Sequence, residues 1–508
     1  MKNGSTTAEV GFDNHKYLRE QTESIVDRIE RFSGKLYLEF GGKLMYDYHA
    51  ARVLPGYKPN VKITLLRELA DRAEIILCIY AGDIEKRKLR GDFGITYDAD
   101  AMKLIDGLRD NGLSVRGVVI TRFDDQPAAV TFQKRLERRG VDVFRHYYTK
   151  GYPTDVDLIV SEEGYGRNDF VETKKPLVVV TGPGPGSGKL ATCLSQLYHE
   201  HRRGREAGYA KFETFPIWNL PLKHPVNAAY EAATADLRDV NLLDPFHMDA
   251  YGETAVNYNR DVEAFPLLRR ILERISGSKS PYASPTDMGV NRAGFGIVYD
   301  DVVRKAACQE IVRRYFRYRC EYVMGIEDEE TVQKVELLMG DNDLEPEDRS
   351  VVPPARQAAT VAMRNIDGDD ERSGAALELP DGSIVTGRSS KLMHAAGAVV
   401  LNAIKKLAGI PEQIHLLTPQ TIDSIQGLEI SLGQSSLQLT LDEVLIALSI
   451  SATTSPATGE AMAMLPKLRG AEVHLTHMPC SGDETGLRKL GVNITSDPFF
   501  PSTSVMIG

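Results

Sequence analysis

The chain has 508 residues, 42% hydrophobic and 26% charged, the balance of a packed globular protein and not of a disordered or membrane-embedded one. At roughly 100–200 residues per domain it has material for about three domains with at least two cores. A formal net charge of −10 argues against a nucleic-acid partner, because gripping a phosphate backbone relies on a basic field.

The opening stretch MKNGSTTAEVGFDN lacks the apolar segment of a signal peptide, and no run approaches the roughly 18 apolar residues of a membrane span. A cytoplasmic protein without a membrane partner is expected. The five cysteines form no CxxC pair, which fits free thiols in a reducing compartment.

Helical spacing of Ile25, Ile29 and Phe32 predicts an amphipathic helix over 17–32, followed by a strand, KLYLEF, that breaks at Gly41-Gly42. Strands at 74–80, 115–121 and 141–144 alternate with helices at 98–110 and 127–139. The apolar runs VDLIV (156–160) and PLVVVTG (176–182) lack polar alternation, as strands covered on both faces do. These signals predict a doubly wound, mixed or parallel sheet domain, with ligands along the edge where its strands end.

A helical middle region follows, with helices at 189–203, 224–238, 262–276, 301–324, 328–340 and 353–364. Two long connections, 241–261 and 277–296, exceed the roughly 12–15 residues usual for structureless loops, and their aromatic, Asn and Arg content suggests substrate contacts. From 366 onward a hairpin turning at Asp381-Gly382, helices at 391–408 and 440–451, and strands at 413–417 and 471–476 predict a second α/β domain. The expected division is therefore 1–220, 221–365 and 366–508.

The strongest chemical signal is TGPGPGSGK at 181–189, between an apolar strand and a helix. Gly182, Gly184, Gly186 and Gly188 remove side chains that would block a phosphate. Ser187, Lys189, the loop N–H groups and the helix N-terminus supply hydrogen bonds and positive charge. The spacing departs from the phosphate-loop signature, and Leu190 replaces the hydroxyl that would hold Mg²⁺. Asp83, Asp124, Asp125, Asp300 and Asp301 compete as the metal-binding carboxylate. Phosphate binding is expected ahead of NTP hydrolysis, and a nucleotide, with or without Mg²⁺, is the candidate cofactor.

Arg388, Ser389, Ser390 and Lys391 form a second anion-site candidate, expected to open a helix; a Ser cap with solvated charges is the competing reading. Candidate catalytic residues are His247, Asp249 and Arg260 in the first long connection and Asp287 in the second. Lys43, His49 and Arg52 are further candidates to approach the anion. HLTHMPC spaces His474, His477 and Cys480 by three, but strand geometry sends the histidines to opposite faces, so no metal site is expected.

The segments KLYLEFGGKL, DYHAARVLPG, TGPGPGSGKLATCLSQLYHE, KFETFPIWNLPLKHPVNAAYEAATADL, NYNRDVEAFP, SPTDMGVN and DEVLIALSISA resemble a bacterial family known as a domain of unknown function, over essentially the whole chain. The resemblance implies α/β ends around a helical middle and carries over no catalytic residue.

The expectation is thus an enzyme, a transferase or ligase, binding a nucleotide or phosphorylated metabolite at the glycine-rich loop. A non-catalytic phosphate-ligand sensor or assembly protein, and a nucleotide-independent enzyme acting on a phospho-metabolite, are the alternatives. The expected partner is a small phosphorylated molecule, and homo-oligomerisation is compatible with the sequence.

Overall fold

The structure, a computed structural model, describes residues 10–32, 35–88, 95–363, 373–433 and 438–500. The chain forms two compact units, one from Glu9–Glu231 with Asp239–Ala307, the other from Ala232–Arg238 with the chain from Cys308 onward.

The first unit is built on six parallel strands, β1 (Leu36–Phe40), β2 (Ala73–Tyr80), β3 (Ser114–Thr121), β4 (Val143–Arg145), β5 (Leu177–Thr181) and β6 (Gly208–Phe212). They lie in the order β4-β3-β2-β5-β1-β6. Both faces are covered. Leu36, Leu38, Val179 and Phe212 pack with Ile25 and Ile29 of helix Asn14–Arg31 on one face. Tyr37, Cys78, Val180 and Tyr209 pack with Cys193, Leu197, Phe265 and Leu268 on the other, beneath helices Lys189–Arg202 and Asn259–Ser276. This burial explains why LVVVT and IILCIY read as uninterrupted apolar runs.

The chain leaves β2 toward β3 and leaves β5 past β1 toward β6. Adjacent strands with opposed connections create a crevice beyond their carboxyl ends, and the glycine-rich loop leaves β5 there.

Two local expectations are corrected in this unit. VDLIV is a short helix, Val156–Ile159, capped by Asp155 through Leu158 N–H, with only Ile159 buried. The 241–261 connection is ordered: β7 (Asn241–Leu243) and β8 (Val256–Tyr258) pair antiparallel around helix Pro245–Tyr251. Asp244 followed by Pro245 is a cap and first-turn pair, and its carboxylate accepts from the N–H groups of Phe246 and His247.

The second unit holds a separate mixed sheet of β9 (Gly374–Glu378), β10 (Ile384–Arg388), β11 (Glu472–Leu475) and β12 (Asn493–Ser496), in the order β10-β9-β11-β12. The β9–β10 pair is the expected hairpin, while β11 and β12 are parallel. Helices Ala395–Ala408, Leu441–Ala452 and Ser481–Leu490 pack on it through Val399, Val444, Leu448 and Leu487. The strand expected at 413–417 is irregular chain leading to helix Pro419–Ser431, which Thr418 caps. The helix expected from 391 begins at Ala395, because Met393 is held in a bridge to Leu439.

Candidate functional site

Helix Lys189–Arg202 starts at Gly188, whose φ of 91° is left-handed and which makes no side-chain capping bond. The N–H groups of its first turn therefore have no intrahelical acceptor. A Cβ at Gly188 would lie 2.7 Å from Thr121 Cγ2, so both conformation and space demand glycine. Thr121 Oγ1 donates to the Ser187 carbonyl at 2.8 Å, tying the loop to the end of β3. Lys189 Nζ folds back over the loop, 3.3 Å from the Gly184 carbonyl and 3.4 Å from Ser187 Oγ.

The hydroxyls beyond Leu190 are turned away from the loop. Thr192 Oγ1 is buried, accepting from the Cys78 thiol at 3.3 Å, and Ser195 Oγ accepts from Asn168 Nδ2 at 3.1 Å. Leu190 itself packs against the core beneath the helix. Neither neighbouring hydroxyl replaces the one that Leu190 lacks.

The flanks of the loop come from β2, β3 and β4. Arg122, at a positive φ of 50°, donates to the Gly186 carbonyl and lies 3.4 Å over the Tyr80 ring. Tyr80 and the exposed Tyr148 meet at their hydroxyls, 3.4 Å apart. Among the carboxylates that compete for a metal, Asp83 follows the strand adjacent to β5. Asp124 and Asp125 are exposed beyond β3, and Asp300 is engaged by His224 at 2.9 Å and by Arg304.

Two strands over from β5, a distance of roughly 10 Å at usual strand spacing, a small cleft with a cavity volume of about 40 Å³ opens beyond β6. Lys211, Glu213, Trp218, Asn257, Asp261 and Asn291 are among its lining residues. Lys211 Nζ sits 2.5 Å from Asp261 and 3.0 Å from Glu213. Burial raises the Glu213 carboxyl and Lys211 only partly offsets it, so it titrates at about 7. Burial works against the Lys211 ammonium, but Asp261 and Glu213 outweigh it and hold it charged. Glu39 on the intervening β1 is buried and accepts from Tyr209 at 2.7 Å. An acid that titrates near neutrality beside a fixed cation is a competent proton donor and acceptor.

The sequence candidates fall around this pocket rather than among its lining residues. His247 is buried, with Nδ1 3.0 Å from Ser284 Oγ and its ring beside Trp218. Asp249 is exposed on the same helix. Arg260 is ion-paired to the buried Asp239, and its neighbour Asp261 reaches the pocket instead. Asp287 accepts from Tyr251 at 2.6 Å and from Ala283 N–H, so the two long connections do meet. His49 packs edge-on against the stacked rings of Phe215 and Tyr230.

Arg388, Ser389, Ser390 and Lys391 end β10 and do not open a helix. Ser389 Oγ accepts from Ser373 N–H, and Ser390 Oγ accepts from Leu392 N–H at 3.2 Å. Lys211, Glu213 and Asp261 carried no joint signal in the sequence. A charged residue alternating with apolar ones, as in LYLEF and GYAKF, was the available hint.

The class these features define is a two-unit α/β protein with a glycine-rich loop at the switch point of a parallel sheet. The chain belongs to the DUF1846 family. The model described as domain of unknown function DUF1846, N-terminal, matches residues 10–343, and its C-terminal counterpart matches 347–506. A UPF0371 protein of Clostridium tetani (strain Massachusetts / E88) is 55% identical over 498 residues, covering 98% of this chain and 99% of its own length. A UPF0371 protein of Clostridium botulinum (strain Alaska E43 / Type E3) is 56% identical over the same length and shares.

Proposed function

We propose that this protein is a cytoplasmic enzyme that anchors the phosphate of a nucleotide or phosphorylated metabolite at residues 182–189 and transfers or ligates a group at the carboxyl edge of the sheet. The observation that carries the reading is the uncapped N-terminus of helix Lys189–Arg202, framed by glycines and Lys189, at the crevice between β2 and β5. Lys189 neutralises phosphate charge by swinging off Gly184 and Ser187, contacts long enough to be exchanged for an anion. The exposed Tyr148 offers aromatic surface for a planar base.

Glu213, Lys211 and Asp261 favour an enzyme over a non-catalytic sensor, since they place proton-transfer groups along the same sheet edge. Because Thr192 and Ser195 are engaged elsewhere, any Mg²⁺ would be held chiefly by the ligand's own phosphates.

A thermal-shift screen of nucleotides and phospho-metabolites, with and without Mg²⁺, on the wild type and Lys189→Ala tests this. The wild type is expected to be stabilised by at least one phosphate compound, and the variant to need at least tenfold more of it. Equal stabilisation of both proteins, or of neither by any phosphate compound, sinks the proposal.

A further inference from the structure

In the second unit, three helices begin around one point. His394 stands immediately before helix Ala395–Ala408, Thr440 before Leu441–Ala452 and Cys480 before Ser481–Leu490. They are locked together: Asp483 Oδ1 accepts from Leu441 N–H at 2.8 Å, His394 N–H donates to the Leu439 carbonyl, and Gly482 lies against Thr440 closely enough that a Cβ would be 2.6 Å from its Oγ1. This brings together an imidazole, a thiol and a carboxylate that are distant in sequence. His394 Nδ1 is 2.8 Å from Asp483 Oδ2 and 3.7 Å from Cys480 Sγ, and the three atoms all lie within 4.8 Å of one another.

We propose that His394, Cys480 and Asp483 form a binding site for a divalent transition ion of the zinc type. In a nucleophilic triad, the acid and the nucleophile occupy opposite nitrogens of the imidazole. Here both converge on Nδ1, which is the arrangement of ligands around a shared centre. Around one tetrahedral ion, nitrogen, sulfur and oxygen ligands stand about 3.4–3.6 Å apart, so the present spacing needs an adjustment of up to about 1.2 Å.

Mixed imidazole, thiolate and carboxylate donors select zinc-like ions over Mg²⁺ or Ca²⁺. Binding displaces the proton between His394 and Asp483 and the thiol proton of Cys480, both of which pass to solvent. Other groups suit a cation there. Glu429 and Glu443 lie within electrostatic reach of His394, and the buried Nδ1 of His477 has no hydrogen-bond partner among the described residues.

Full-length protein stripped with a chelator and titrated with Co²⁺ provides the test, because thiolate ligation gives a near-ultraviolet charge-transfer band. The expected result is one Co²⁺ per chain with that band, reversed by Zn²⁺. Cys480→Ser should abolish the band, and His394→Gln should weaken binding at least tenfold, with far-ultraviolet circular dichroism unchanged. Cys308→Ser, at a thiol outside the cluster, should leave the spectrum intact. Absence of the band in the wild type, or its survival in Cys480→Ser, overturns the proposal. If Cys480→Ser does not fold, Asp483→Asn with an altered Co²⁺ spectrum or lowered affinity supports it, and wild-type values overturn it.

Discussion

Leu190 stands where a phosphate-loop NTPase carries a metal-binding hydroxyl, and its side chain packs into the core instead. The positive charge that remains comes from Lys189 and from backbone N–H groups, which depend on Gly188. Gly188→Ala places a Cβ against Thr121 at a φ of 91°. It should cost about 1–3 kcal/mol in urea unfolding and abolish the ligand-induced thermal shift. Glu213 makes a pH-dependent prediction. Its folded pKa of about 7 lies above the ordinary carboxyl value of 4.5, so the protonated form is the one that folding favours. Its contribution to stability is therefore full below pH 4.5 and is lost as the pH rises through about 7. Glu213→Gln should be more stable than wild type above pH 7 and should flatten the fall in melting temperature between pH 5 and 8 (on the order of the window set by this shift). A wild-type-like slope in the variant would assign the titration to another group.

Among the elements, the buried parallel strands were legible because burial on both faces leaves unbroken apolar runs, as in 74–80 and 176–182. VDLIV misled because a run of that length is common to strand and helix, and the Asp155 cap decided the outcome. The glycine-rich loop was visible because all its parts are consecutive. The pocket was not, since Lys211, Glu213 and Asp261 sit on a short edge strand, the turn after it and a helix about fifty residues on. The turn after β1 rests on another nonlocal pair: Lys62 is 1% exposed and lies 2.7 Å from Asp47, the cap of helix Tyr48–Val53. Lys62→Met alone should destabilise by about 3–5 kcal/mol in denaturant titration, because it strands a buried carboxylate. Adding Asp47→Asn, which keeps the cap, should recover most of that loss.

For the whole molecule, no helix among the described residues is long and apolar enough to cross a membrane. The net charge of −10 opposes an anionic ligand at long range, so the proposed capture of a phosphate would rely on the local field of the loop. Two α/β units with distinct sheets were anticipated by the pattern of apolar runs on either side of a helical stretch, and the family match spans both. The proposed function turns on where a phosphate compound binds. Hydrogen–deuterium exchange with saturating ATP or inorganic pyrophosphate measures this most directly. The prediction is slowed exchange in peptides spanning 182–192, weaker or absent in Lys189→Ala. Protection confined to other segments, with 182–192 unchanged in the wild type, would contradict it.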